Sequence, residues 1–220
     1  LMRVEPNSMP SAVRPALIVS AGWYVALVAL WPAGSRPYVG GSENNSLWEL
    51  AIGYNGLGRI FGGDGNGGGG NAGFGGATGL NRLFGSEMGY EISWLLPVAL
   101  FVIVFGAYLV VRQFIRVRET DRLSRTEKAG LVMWGGWLVV TGLIFSFMSG
   151  TIHPYYTVAL APAIGALVGL GGVYAWRLRD RWDGRIALGA MIALAAGWSI
   201  VLLNRADFGP VWTRYLIGAV

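Results

Sequence analysis

Chemistry-bearing side chains crowd most tightly at Ser149–Gly150–Thr151–Ile152–His153–Pro154–Tyr155–Tyr156–Thr157. His153 is the only histidine in the 220 residues, and there is no cysteine. A single imidazole can donate to a phosphate oxygen or help hold a divalent cation, but it cannot build a multi-histidine metal site. Without cysteine, disulfides, thiolate catalysis and Cys-based zinc or iron–sulfur sites are excluded. The Tyr155 and Tyr156 hydroxyls could donate as the imidazole does. The competing reading of this stretch is an aromatic anchor at a membrane surface that carries one polar ring. A second polar set comprises Glu43, Asn44, Asn45, Asn55 and Arg59. Asn55 and Arg59 are four apart, which puts them on one face of an α-helix, and arginine suits two-pronged phosphate contacts. With His153 this set could receive an anionic lipid-linked headgroup. Its alternative is a solvated face whose arginine meets lipid phosphate.

The elements that hold these residues emerge from the charges. Only 13% of the chain is charged and 54% is hydrophobic, with a mean hydropathy of +0.50, whereas soluble domains carry about 25% charge. All 29 charged side chains avoid five blocks, 15–31, 92–111, 129–148, 155–176 and 186–203. About 20 apolar residues in a helix span a ~30 Å hydrocarbon layer. The pattern predicts an all-α integral membrane protein with five spans over those blocks, forming one membrane domain over 1–220. Disorder, collagen, a secreted disulfide scaffold and a soluble enzyme are excluded.

Six Lys/Arg lie in 112–128 and four in 177–185. Both are short connections, where positive charge marks the cytoplasmic side most reliably. The expected orientation puts 112–128 and 177–185 in the cytoplasm and 32–91 and 149–154 outside, in a multi-pass protein of a bacterial plasma membrane. That assigns 12 basic residues to the inner side and five to the outer. The pI near 9.8 then reports orientation and contact with anionic membrane lipid, and nucleic acid is not an expected partner.

The outer loop 32–91 divides into three parts. Residues 32–46 are turn chemistry. Ser46 with Glu49 three residues on reads as a capping box, and Leu47, Leu50, Ala51, Tyr54, Leu57 and Phe61 continue at helical spacing. That predicts a short amphipathic helix lying on the membrane surface. The tract 62–76 (GGDGNGGGGNAGFGG) reads as a tether or lid. It lacks the Gly-Lys-Ser/Thr of a phosphate loop and occurs once, where a calcium-binding solenoid would need stacked copies. Residues 78–88 are expected to form a second surface helix. Within the spans, Pro97 and Pro162 can kink their helices, and Gly165 with Gly169 form a GxxxG pair suited to close helix packing. No span carries a charge, which argues against an ion-coupled transporter. The first residue is Leu and Tyr215–Val220 begins another apolar run, so the chain is expected to be a piece of a larger membrane protein.

SRPYVGGSENNSLWELAIGYNGLGRIFG, the Gly-rich tract, SEMGYEISWLLPVAL and LVMWGGWLVVTGLIFSFMSGTIHPYYTVALAPAIGALVG together resemble the actinobacterial branch of the bacterial family 39 glycosyltransferases. These are protein mannosyltransferase-like or aminoarabinose transferase-like enzymes of the GT-C class. The resemblance covers residues 15–203. It implies transfer of a sugar from a polyprenyl-phosphate donor to an acceptor at the outer face of the plasma membrane. It also implies that the catalytic acid lies in an outer loop upstream of the region matched here. His153, Tyr155 and Tyr156 match a recurrent outer-hairpin motif, and Tyr54 to Arg59 (YNGLGR) match an outer-loop motif. Both are donor-binding candidates by resemblance. The rival function is a non-catalytic membrane scaffold or transport subunit whose outer loop binds partners.

Overall fold

The computed structural model describes residues 15–16, 18–62, 74–113, 122–207 and 209–219. Most of the Gly-rich tract, residues 63–73, and the segment 114–121 lie outside them. The chain folds as two compact units, Leu1–Gly69 with Ser149–Thr151 and Gly70–Met148 with Ile152–Val220.

In the first unit, α1 (Val19–Leu30) is an apolar helix without a charged residue. Its described helix is shorter than a full bilayer crossing. Arg36 returns to its C-terminal end and donates from Nη2 to Ala29 O and Trp31 O, carbonyls that a helix end leaves without intrahelical donors. A second helix, α2, covers 47–61. Its middle, Glu49–Leu57, is wound as a π-helix, and its backbone leaves helical geometry at Gly56 (φ −106°, ψ −116°).

Among its described residues the second unit holds four helices long and apolar enough to cross a membrane: α3 (Ser86–Arg112), α4 (Arg125–Phe147), α5 (Pro154–Arg177) and α6 (Trp182–Arg205). A shorter α7 (Val211–Ala219) packs on α6. The described regular structure is entirely helical, as a multi-pass α-helical membrane protein requires. At Arg112, Arg125, Arg177 and Arg205 the long helices run past their charge-free blocks with charged residues, whose long side chains reach the interface.

The core is an apolar seam centred on α5, which packs against α3, α4 and α6. Leu160, Ala163, Ile164, Leu167, Tyr174 and Ala175 are buried along it at helical spacing, opposite Ala99, Val102 and Leu109 of α3. The outward faces stay apolar too. Val104, Val132, Val158 and Ile192 are each more than 60% exposed, as expected of helices solvated by lipid. Trp137 Nε1 donates to Ala159 O across α4 and α5 (3.1 Å).

Both intramembrane prolines stand at the same kind of junction. A 3₁₀ stretch, Ser93–Leu95, precedes the α-helical run that opens on Leu96 and Pro97. Another, Pro154–Leu160, precedes the run that opens on Ala161 and Pro162. A proline lacks the N–H that an α-helix would use, and in the first turn of a new run that loss costs nothing. The kinks foreseen from sequence are thus changes of helical type. The second surface helix foreseen over 78–88 is a short 3₁₀ turn, Arg82–Phe84, and from Ser86 the chain is already in α3.

The glycines that bring helices together are not the GxxxG pair. A Cβ built on Gly165 or Gly169 meets nothing within 4 Å, whereas one on Gly171 would lie 2.2 Å from Val102 Cγ2 and one on Gly106 2.4 Å from Leu131 Cδ2. Gly171→Ala should therefore destabilise the bundle by about 2 kcal/mol through overpacking. Gly169→Ala should stay within about 0.5 kcal/mol of wild type. Thermal unfolding of the two variants in one detergent checks the contrast.

The linked ends of α3, α4, α5 and α6 on the side of 112–128 carry ion pairs. Arg112 pairs with Asp183 and Arg177 with Glu127. Ser124 and Glu127 close a complete capping box on α4, with Ser124 N–H donating to the Glu127 carboxylate and Glu127 N–H to Ser124 Oγ.

Candidate functional site

Pro154 sets the backbone at His153. A residue before proline is pushed to extended backbone, and His153 has φ −104° and ψ 144°. Tyr156 N–H donates back to His153 O (3.0 Å), and the buried Thr157 hydroxyl donates to Pro154 O (2.6 Å). That 3₁₀ turn throws the imidazole and the two tyrosines together. His153 stacks on Tyr155 with centroids 5.3 Å apart and meets Tyr156 edge to face at 5.6 Å, and the two tyrosines meet each other at 4.7 Å. Phe74 adds a further ring, stacked on His153 at 5.1 Å and 19°. Phe74 belongs to the described end of the Gly-rich tract, so within the second unit the tract's exit meets the imidazole. The ring is fixed through its faces. Among the described residues no side-chain hydrogen bond reaches its nitrogens, which suits them to an incoming ligand.

Sequence reasoning missed Arg82. It is buried at 6% exposure and has no carboxylate partner among the described residues. Instead it donates from Nε to Gly75 O (2.9 Å) and from Nη1 to Phe145 O (3.2 Å) and Met148 O (2.6 Å). The last two carbonyls close the C-terminal end of α4, where a cation offsets the helix dipole. Burial pushes the Arg82 guanidinium below its ordinary value, from a start so high that the charge persists at any working pH. Gly79 N–H donates to Ser146 O beside it (2.8 Å). Gly75 packs closely, since a Cβ there would lie 2.6 Å from both Ile152 Cγ2 and Met88 Cε and would force the buried Ile152 to shift. The arginine therefore ties the segment just after Phe74 to the end of α4. The available signal was an arginine a few residues before a membrane span, and nothing in its spacing separates a clamp from a surface charge.

One residue past Phe74 begins a cavity of about 400 Å³, lined by Gly75 to Arg82 and Gly85 to Glu87. Thr78, Asn81, Ser86 and Glu87 give it hydroxyl, amide and carboxylate groups. Among the described residues no three His, Asp or Glu side chains gather to hold a metal ion.

The other candidates belong to the first unit. Glu49 is the hub there. Its carboxylate accepts from Asn44 Nδ2 (2.6 Å), Asn44 N–H (3.0 Å) and Glu43 N–H (3.1 Å). The foreseen capping box is half formed. Ser46 Oγ accepts from Glu49 N–H, but Ser46 N–H goes to Ser42 Oγ. Asn45 adopts φ +49°, which asparagine tolerates, and its Oδ1 accepts from Val39 N–H. Asn44 and Asn45 are thus engaged in folding the loop. Asn55 is exposed, and Gly56 breaks the helix between it and Arg59, so the single face expected from their spacing is interrupted. Arg59 lies over the Tyr54 ring (5.3 Å) and donates to Thr151 O (3.4 Å). Ser149 N–H and Gly150 N–H donate to Ile60 O and Arg59 O. A Cβ on Gly150 would sit 2.5 Å from two backbone oxygens, so this contact requires glycine.

The Asn44 side-chain amide, then the Asn44 and Glu43 N–H groups, hold the Glu49 carboxyl below its ordinary value. A lowered folded pKa contributes stability above the unfolded value, and that contribution is lost as pH falls through the folded value. Cleavage of the 36–49 segment by an acid-active protease should accelerate below about pH 4. Asn44→Ala should show the faster rate already at neutral pH.

Two relatives are similar over nearly the whole chain. "Putative mannosyltransferase YkcB" of Bacillus subtilis is 29% identical over 94% of this chain, and "Putative mannosyltransferase YycA" of the same organism is 29% identical over 91%. The chain spans about 40% of the length of each. No family profile and no solved structure matches it. The likeness is thus to proteins named as mannosyltransferases, and the four long apolar helices among the described residues fit a multi-pass membrane protein.

Proposed function

We propose that this protein is a GT-C class membrane glycosyltransferase of family 39 type, mannosyltransferase-like, that moves a sugar from a polyprenyl-phosphate donor to an acceptor at the outer face of the plasma membrane. The observation that carries the reading is the aromatic-held imidazole of His153 beside a polar cavity, in a chain similar to two proteins named as mannosyltransferases. A lipid-linked donor carries its phosphate at the interface and its sugar just beyond. In this reading the phosphate meets His153 with the Tyr155 and Tyr156 hydroxyls, and the sugar enters the cavity between Thr78 and Glu87. Transfer joins the acceptor oxygen to the anomeric carbon as the bond from that carbon to the phosphate oxygen breaks. The acceptor proton goes to a base, and the phosphate leaves with the negative charge. Donors aimed at the departing phosphate lower the barrier because charge grows there. The basic connections 112–128 and 177–185 set the orientation of the reading, with 32–91 and 149–154 outside.

The test supplies membrane-embedded protein with polyprenyl-phosphate mannose, the matching arabinose and glucose donors, and GDP-mannose. Transfer from a polyprenyl-phosphate sugar supports the reading. Transfer from the nucleotide sugar alone, or none from any donor, counts against it and favours a binding subunit.

A further inference from the structure

Arg82 has one amine left over. Its Nε and Nη1 are spent on the carbonyls of Gly75, Phe145 and Met148. Nη2 makes no hydrogen bond among the described residues. Nor is it sealed off, because the described side-chain atoms that are both sealed and unpaired are Arg36 Nε and Gln113 Nε2. Nη2 lies 3.0 Å from where a Gly75 Cβ would stand, and Gly75 and Arg82 both line the cavity of about 400 Å³. In a side chain only 6% exposed, Nη2 is the atom with donor capacity left for a ligand.

Glu87 stands in the same lining. Its stem packs on Gly76, where a Cβ would come within 3.3 Å of Glu87 Cγ. Its Oε1 accepts from Ser86 Oγ (3.1 Å), and Oε2 accepts nothing among the described residues. Of the residues lining the cavity, Arg82 and Glu87 are the charged ones, and their charges offset.

We infer that Arg82 and Glu87 are the specificity pair of this cavity and select an uncharged sugar with adjacent hydroxyls. Nη2 donates to one hydroxyl oxygen, and Glu87 accepts from the next hydroxyl. A hydroxyl serves either role, so a neutral polyol satisfies both groups at once. An amino sugar or a uronic acid pairs with one of the two, is repelled by the other, and still sheds its hydration. Bonds to substrate hydroxyls discriminate strongly, because an analogue that cannot make them leaves buried polar groups unpaired. The inference rests on the proposed transfer reaction, whose sugar class it names.

The chain has no cysteine, so Leu80→Cys places a single thiol in the cavity wall. In nanodiscs, protection of that thiol from a maleimide reports occupancy whether or not transfer occurs. The probes are the polyprenyl-phosphate donors of mannose, aminoarabinose and glucuronate, which share the lipid phosphate and differ in the charge on the sugar. The mannose donor should protect at a concentration about tenfold or more below either charged donor. Glu87→Gln leaves the Arg82 charge unopposed and should bring the glucuronate donor to within about threefold of mannose. Arg82→Lys keeps the charge but spends its single nitrogen on the helix end. It should weaken protection by the mannose donor about tenfold, while glucuronate stays poor. Protection midpoints do not depend on how much of a variant is folded. Equal protection by all three donors, or none by any, would overturn the inference, as would wild-type selectivity in Glu87→Gln. Sugar transfer without selective protection would strike this inference alone. Selective protection without transfer would strike the proposed reaction and leave the pair standing.

Discussion

Arg82→Met should destabilise the second unit by at least about 3 kcal/mol, the largest effect of any single change outside the apolar core. The methionine fills similar volume but strands the carbonyls of Gly75, Phe145 and Met148, which Arg82 now satisfies. A buried acceptor left unpaired costs about 1–3 kcal/mol, and the helix end also loses its cation. Arg82→Lys keeps the charge on one nitrogen and should recover about half of the loss. Thermal unfolding in a fixed detergent reads the series. The order wild type, lysine, methionine is expected, and a methionine variant as stable as wild type would show that the three contacts carry no net stability.

His153→Ala should lower sugar transfer about 10²-fold, the range seen when one donor to a developing charge is removed, while leaving membrane insertion and unfolding temperature near wild type. The packing supports that separation. The imidazole is partly exposed and held through ring faces, whereas the burial beneath it belongs to Ile152, Thr157 and Leu160. Phe74→Ala removes a ring stacked on the imidazole and should reduce transfer by a smaller factor, with kcat falling more than KM changes, because it loosens the ring without deleting its donor. A variant without His153 that turns over like wild type would reduce the hairpin to an aromatic anchor.

How much of this was legible in the sequence depended on the kind of force involved. The spans were readable because excluding charge from hydrocarbon is a composition rule: three of the four long helices contain their charge-free blocks, and α4 covers its block to Phe147, one residue short of the end. The ends were not, since Ser86 and Arg205 enter helices that composition alone would stop earlier. The proximity of His153, Tyr155 and Tyr156 could be read because they are near neighbours around one proline. Phe74 is far from His153 in sequence, and only the tertiary fold brings its ring there. Glycine was misread for a similar reason. The GxxxG spacing pointed to Gly165 and Gly169, yet the close approach falls at Gly171, because helix rotation is set by the neighbouring Val102. The Asn55–Arg59 pair assumed an unbroken α-helix, and π-winding with a break at Gly56 changed the geometry. Arg82 gave no local sign of its role, since all three acceptors are backbone oxygens and leave no trace in side-chain pattern.

A single histidine in 220 residues gives the account its most direct test. With ¹⁵N-labelled imidazole, the long-range proton–nitrogen spectrum of this chain shows one ring, that of His153. Titration with polyprenyl-phosphate mannose in nanodiscs should shift both ring-nitrogen resonances saturably, while the unphosphorylated polyprenol leaves them in place. A ring spectrum unchanged by the phosphate donor, at concentrations that support transfer, would contradict the assignment of His153 to the donor phosphate.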